Sequence, residues 1–271
     1  MFQEMRTVVD VVEESVRDRV PILGGRYSGR ELTDPAEIVD ARRVGGEVYV
    51  HRHKLDHADL DAQGLPKRDD HTAESTYFGV YDRSARLLAS DRVIWSPTST
   101  LAAFRVPLSA LRTTLRNQLS QLRPGAVAEV GTLIKAPGAP TVAVIKLLRC
   151  MWSFASDHGI EFFVCGLEPK LYPHFQRMFG DALINAGPAG ETFSVDIVKG
   201  RQIAFMIDVR RTGALIEATP HASAAQWLGH RIFARYITGD ASCCVKRLEH
   251  EYVRGDVTPV EDVQAAATLT R

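Results

Sequence analysis

Glu129 is the single charged residue in the run AVAEVGTLI (126–134), and that isolation is the first chemical signal in the chain. An apolar run of this length between turn signals forms a buried strand. A carboxylate buried there without a partner is costly, so it must be paired, protonated, or held with a raised pKa suited to proton transfer. Two readings stay open: a working acid–base group, or a structural glutamate paired with a buried arginine such as Arg92. KAPGAP (135–140) follows, and then the helical pattern TVAVIKLLRCMWSFASDHG (141–159). A helix N-terminus offers unpaired N–H groups and the positive end of a dipole to an anion. Gly138 would let a phosphate approach and Lys135 would add charge, although the same residues also make an ordinary strand–helix turn. Arg92 can hold a carboxylate or phosphate through two N–H groups, or serve as a solvated strand arginine. Asp69 and Asp70 can orient a cationic amine. HRHKLDH sets His51, His53 and His57 beside Asp56, a donor set that zinc accepts and that a strand would project from one face. No HExxH-like motif accompanies it.

Composition narrows the classes. The 271 residues include 33 basic and 33 acidic side chains, for a formal net charge of zero. General nucleic-acid binding, which needs a basic excess to displace counterions, is disfavoured. With 45% hydrophobic and 24% charged residues the chain can bury a sizeable core and is expected to be a soluble globule. No window holds the roughly 18 apolar residues of a membrane span. The first 20 residues read as an amphipathic helix containing acids, unlike a signal or transit peptide. Cys150, Cys165, Cys243 and Cys244 form no CxxC pair and are expected to be reduced, packed thiols of a cytoplasmic protein.

The elements that must position these groups follow from periodicity. Thr33 and Asp34 can cap a helix beginning at Pro35; GEVYVHRH either ends that helix or forms a short strand. Residues 54–75 are polar and loop-like. STYFGVYD and RLLASDRVIW are strands joined by a short turn at Arg83, Ser84 and Ala85. AFRVPLSALRTTLRNQLSQL reads as a helix broken near Pro107. The strand at 126–134, a helix capped by Thr141 and ended by Gly159, and the strand IEFFVCGL (160–167) make a parallel pair. PKLYPHFQRMF is a short helix, TFSVDIVKG and QIAFMIDVRR are strands, and residues 215–271 read as helices. One domain is expected, with a core at about 36–210 and helical extensions at 1–35 and 215–271.

This order resembles the GNAT-type acyltransferase fold, and more narrowly the branch containing N-acyl amino acid synthases and acyl-homoserine-lactone autoinducer synthases. The resemblance implies an α/β architecture with a mixed, largely antiparallel central sheet, one parallel strand–helix–strand unit, and helices on both faces. YFGVYDRSARLLASDRVI resembles the family's paired strands and puts Arg92 on the strand arginine. AVAEVGTLI resembles the strand that carries the family's glutamate, here Glu129. Asp69 and Asp70, with Ala73 beyond them, resemble the Asp-rich segment, and GGEVYV resembles the Arg-x-x-Val-Phe-Val-like segment. Gly45 stands where the family has an arginine, with Arg42 and Arg43 nearby. Thr132 stands where autoinducer synthases have another arginine, and KAPGAP replaces the superfamily's phosphate loop. The tyrosine near the leaving thiolate aligns with Phe175, one helical turn from Tyr172.

The resemblance implies an N-acyltransferase moving a medium- or long-chain acyl group from coenzyme A or an acyl carrier protein to the amine of a small molecule, amino acid or peptide. No cofactor is expected to be permanently bound, and the chain is expected to be a monomer or homodimer. Glu129, Arg92 and Tyr172 are the implied catalytic residues. Leu133, Ile134, Lys135, Gly138, Ala139 and Thr141 would meet the pantetheine and phosphates; Asp69, Asp70, Arg43 and Trp95 would meet the acceptor. The alternatives are a catalytically degenerate acyl- or pantetheine-binding protein and a His-ligated zinc hydrolase. The histidine cluster carries the first test. Elemental analysis of untagged protein is expected to find well under one zinc per chain, and stoichiometric zinc would favour the hydrolase.

Overall fold

A computed structural model describes residues 27–68, 74–99, 105–195, 198–220 and 223–239. The expected N-terminal amphipathic helix, Asp69 and Asp70, Cys243 and Cys244, and the charged tail lie outside the described residues. Eight strands form one sheet in the order β1-β2-β3-β4-β5-β8-β6, with β7 paired to β8. The strands are β1 (Tyr27–Leu32), β2 (Ser75–Asp82), β3 (Leu87–Ile94), β4 (Val127–Lys135), β5 (Phe162–Leu167), β6 (Leu183–Asn185), β7 (Phe193–Val195) and β8 (Val198–Asp208). The helices are α1 (Pro35–His51), α2 (Thr113–Ser120), α3 (Thr141–His158), α4 (Tyr172–Phe179), α5 (Thr212–Ala218) and α6 (Ala224–Thr238). Only β4 and β5 run parallel; the other pairs are antiparallel. This is the mixed α/β architecture the resemblance implies.

Helix α3 crosses one face of the sheet and supplies its apolar stripe, Ala143, Leu147, Met151 and Ala155, to a core that also holds Phe78, Val80, Val93 and Phe163. Gly159 ends it in the left-handed conformation, φ 66° and ψ 30°, where a residue without Cβ is unstrained. On the opposite face, Val106, Leu111, Leu115 and Leu119 pack over Val127, Val164 and Met206. A smaller cluster joins Ala41 of α1 to Leu32, Tyr77 and Leu87.

Several boundaries differ from the sequence reading. Residues 27–32, expected in a helical extension, form edge strand β1 on β2; helical periodicity does not register so short an alternating segment. GEVYVHRH completes α1, with Asp34 accepting the Ala36 N–H at 2.9 Å as its cap. Among its described residues, the segment AFRVPLSALRTTLRNQLSQL is α-helical at Thr113–Ser120; Pro107, which cannot donate an intrahelical bond, precedes a short turn at 108–110. Thr141 is the first residue of α3 and not its cap; Pro140 occupies that place without a side-chain bond. TFSVDIVKG is split between β7 and β8, while β6, only three residues long, gave no periodic signal. The C-terminal helix α6 is no appendage: Phe233, Ala234 and Ile237 are buried in the core beneath α3. No helix among the described residues is long and apolar enough to cross a membrane.

Adjacent glycines of α1 test this packing. A Cβ on Gly45 would stand 3.6 Å from Ile134, an ordinary contact, whereas one on Gly46 would stand 2.7 Å from the Gly64 carbonyl oxygen. Gly45→Ala is therefore expected to raise the unfolding free energy by up to about 1 kcal/mol, the usual helix-interior gain. Gly46→Ala is expected to lower it, with urea denaturation as the measurement.

Candidate functional site

The site is organised by a defect in the sheet. Ser90 pairs with Ile134 and Arg92 with Gly131, so Asp91 alone faces both Thr132 and Leu133. This β-bulge on β4 puts Thr132 at φ 68°, a conformation non-glycine residues rarely adopt. Strands β4 and β5 pair only from Val127 with Phe162 to Val130 with Cys165. Beyond Val130 they part, β4 continuing along β3 and β5 along β8. The backbone irregularity falls at Thr132, one residue beyond Gly131.

Two cavities meet at the bulge. Between the parted strands, α3 and α4 lies an apolar cleft of about 570 Å³ including its open mouth. Val130, Leu133, Met151, Trp152, Phe163 and Phe175 are among its walls. The Trp152 indole nitrogen is buried there with no hydrogen-bond acceptor among the described residues. The second cavity, about 370 Å³ on the same measure, lies beneath α1. Its lining is more polar: Arg42, Tyr49, Tyr77, Ser90, Asp91 and Thr132, with Gly45 contributing space. Asp91 and Thr132 are the residues common to both linings.

Two carboxylates and two guanidiniums surround the bulge. Glu129 is 2% exposed. Its Oε1 stands 3.4 Å from Arg105 Nε and its Oε2 accepts the Val106 N–H at 2.9 Å. The Arg105 guanidinium lies against Gly131, where any Cβ would collide with Nη2. Burial raises the pKa of Glu129, with Arg105 opposing the rise. Arg92 is completely buried and its Nη1 donates to the Tyr77 hydroxyl at 3.1 Å, so it touches the polar cavity through Tyr77. Asp91, also 2% exposed, accepts the Arg92 backbone N–H at 2.7 Å. Burial drives its pKa well above the usual aspartate range, against that hydrogen bond and the charges of Arg105 and Arg92. Burial likewise pushes the Tyr49 phenol and the Cys165 thiol up to about 12 each.

Other expected residues sort differently. Leu133 lines the apolar cleft, whereas Ile134 turns to the polar cavity. Gly138, at φ 74°, leaves open space beside the start of α3, where Thr141 is exposed. Lys135 is turned inward on its own loop, its Nζ donating to the Ala139 carbonyl at 2.7 Å. Tyr172 stacks on Phe205 at 5.0 Å and lies outside the cleft lining; Phe175, one turn on, takes that place. Arg43 faces solvent, paired with Asp40 and Glu47, and Arg42 reaches the cavity instead. Trp95 is structural: its Nε1 donates to the Gly125 carbonyl at 2.8 Å and its ring packs against Phe154 and His158. His51 ends α1, and His53 and His57 lie in the turns after it, not on a strand; Asp56 pairs with Lys199. Among the described residues no group of three His, Cys, Asp or Glu is placed to hold a metal. Sequence reading missed Arg105 and Asp91, and of the neighbouring Arg42 and Arg43 it chose Arg43 for the acceptor. Asp91 carried a usable signal, an acid within the apolar strand run LLASDRVI, which is the argument applied to Glu129.

A sheet in which a bulged β4 parts from β5 over an apolar cleft is a fold that solved structures share. FeeM, an N-acyl amino acid synthase from uncultured soil microbes, is 16% identical, with 70% of this chain and 94% of that chain covered at a TM-score of 0.50. TofI, in a ternary complex with an inhibitor and MTA, is 18% identical over 70% and 95% of the two chains, also at 0.50. BjaI, a CoA-dependent acyl-homoserine lactone synthase with SAM and isopentyl-CoA, is 16% identical over 77% and 90%, again at 0.50. No protein-family model matches the sequence, nor does any curated protein.

The raised pKa of Asp91 has a consequence for stability. A carboxyl that holds its proton more tightly when folded makes the fold less stable as pH rises from the unfolded value, about 3.9, through the folded one. Asp91→Asn removes that loss. The variant is expected to be more stable than the parent at pH 7, with the difference vanishing as pH falls below about 4, measured by denaturant unfolding across pH.

Proposed function

We propose that this chain is an N-acyltransferase taking a medium- or long-chain acyl group from a coenzyme A or acyl-carrier-protein thioester to the amine of a small molecule. The carrying observation is the pair of cavities of opposite polarity that meet at the β4 bulge. An acyl chain fits the apolar cleft and an amine acceptor fits the polar cavity, so the two reacting atoms come together at one point, which is the main requirement for speed in a bimolecular transfer. The fold shared with FeeM and with the CoA-dependent BjaI supports a thioester donor.

In this reading the pantetheine arm lies between β4 and β5, whose pairing ends at Val130 and Cys165. Backbone N–H groups there polarise the thioester carbonyl and stabilise the oxyanion. The N-terminus of α3, approached over Gly138, receives the phosphates. Lys135 shapes this loop through Ala139. Glu129 acts through its partners, holding Arg105 against Gly131 and fixing the Val106 backbone. Tyr172 packs on Phe205, outside the cleft lining. Arg42 and Asp91 give the acceptor cavity both a guanidinium and a carboxylate, a combination suited to an amino-acid-like acceptor. The Cys165 thiol, held protonated by a pKa near 12, makes a poor nucleophile, so the acyl group passes directly to the amine. We place the reaction in the cytoplasm.

Purified protein is expected to release free thiol from medium- or long-chain acyl-CoA or acyl-carrier-protein only when an amine is present, with the amide detected by mass spectrometry. Glu129→Gln is expected to lower that rate while the fold persists. Binding of acyl thioester without turnover across a panel of amino acids and amines would favour the degenerate binding protein.

A further inference from the structure

Asp91 is the buried carboxylate that acyl transfer, as drawn so far, leaves without a chemical task. Its Oδ1 is occupied by the Arg92 N–H, and no described group donates to its Oδ2. Glu129 is the contrast, because each of its oxygens already has a partner. The charged and titratable groups around Asp91 come from every neighbouring element: Arg92 beside it on β3, Glu129 on β4, Cys165 on β5, Tyr49 and Arg42 on α1, and Arg105 from the segment before α2. Helix α3 faces the cleft here with Leu148, Met151 and Trp152, none of which titrates. Arg105 is engaged by Glu129, and Arg92 directs Nη1 to Tyr77. A carboxylate kept open at the junction of a polar and an apolar cavity is placed to meet whatever crosses from one to the other.

We propose that Asp91 is the proton acceptor for the incoming amine, a role that rests on the acyl-transfer reading above, in which Glu129 keeps its part of holding Arg105. The acceptor enters the polar cavity as an ammonium ion, and Asp91 Oδ2 takes one of its protons, freeing the nitrogen lone pair. The nitrogen attacks the thioester carbonyl; the new C–N bond forms as the carbonyl π electrons move onto oxygen. Collapse of the tetrahedral adduct breaks the C–S bond, and the departing thiolate takes a second proton from nitrogen. Asp91 returns its proton to solvent through the polar cavity. Ammonium and thioester thereby become amide, thiol and one proton. Burial assists the step, since a carboxylate of ordinary pKa is a weak base toward an ammonium ion, and raising it improves the match.

The test is the pH dependence of turnover for the wild type, Asp91→Asn and Glu129→Gln, using an acyl-CoA donor and an amine that the wild type accepts. Wild-type kcat/KM should fall on the acidic side as Asp91 becomes protonated. Asp91→Asn should lower kcat by about 10²–10⁴-fold, the usual cost of a lost general base, and should abolish that acidic limb. Glu129→Gln should lower kcat but keep the limb, because it leaves Asp91 in place. Asp91→Asn activity within about threefold of wild type, or an unchanged acidic limb, would overturn the proposal. Should the asparagine variant fail to fold, Asp91→Glu decides: a displaced limb supports the role, and one at the wild-type pH overturns it. A wild type that turns over no acyl thioester with any amine overturns the acyl-transfer reading and this role with it. Wild-type turnover with an unmoved limb removes Asp91 alone.

Discussion

Two neighbouring parallel strands stop bonding to each other after Val130 and Cys165, and much of the molecule is arranged around that separation. A sheet interior does not ordinarily leave backbone N–H and C=O groups without partners, because they cost nearly as much buried as a lost hydrogen bond. Here the separation is held open from both sides. β3 keeps β4 through a bulge that turns Thr132 into the left-handed region, and β8 keeps β5 through its full length. Helices α3 and α4 roof the gap with apolar side chains, and α1 covers the other side of the bulge.

Placing charge next to such a gap is costly, and the protein limits that cost by balance. Glu129 and Asp91 are set among Arg92 and Arg105, whose charges oppose the rise in pKa that burial imposes on both carboxyls. Removing either member of a buried pair is generally more damaging than never having built it, because the survivor keeps its desolvation penalty. Gly131 is part of this balance, since the Arg105 guanidinium occupies the space a side chain would need. Asp91 stands slightly outside it, with one oxygen committed to the backbone and the other to none of the described donors. Its raised pKa expresses that incomplete compensation of burial.

The protein's own sequence determined the elements with strong local causes. Period-two runs marked β2 and β3, and the apolar run 126–134 marked β4. Helical periodicity over residues 141–157 marked α3, and Gly159 its end, because left-handed backbone is least strained without a Cβ. Glu129 was legible for a similar reason: a lone charge in an apolar strand has to be accounted for wherever the strand goes. The partner of that charge was not legible. Arg92 is the arginine the neighbouring strand suggested, but Arg105, from a segment whose helix Pro107 prevents from forming, is the one that arrives. Likewise Arg42 and Arg43 are equivalent as residue types; the rotation of α1 against the sheet sends one into the cavity and the other to Asp40 and Glu47. Strand pairing alone decides that Asp91 faces two residues of β4 and reaches both cavities, since a bulge is a property of register between strands distant in sequence and leaves no mark in either strand's own pattern.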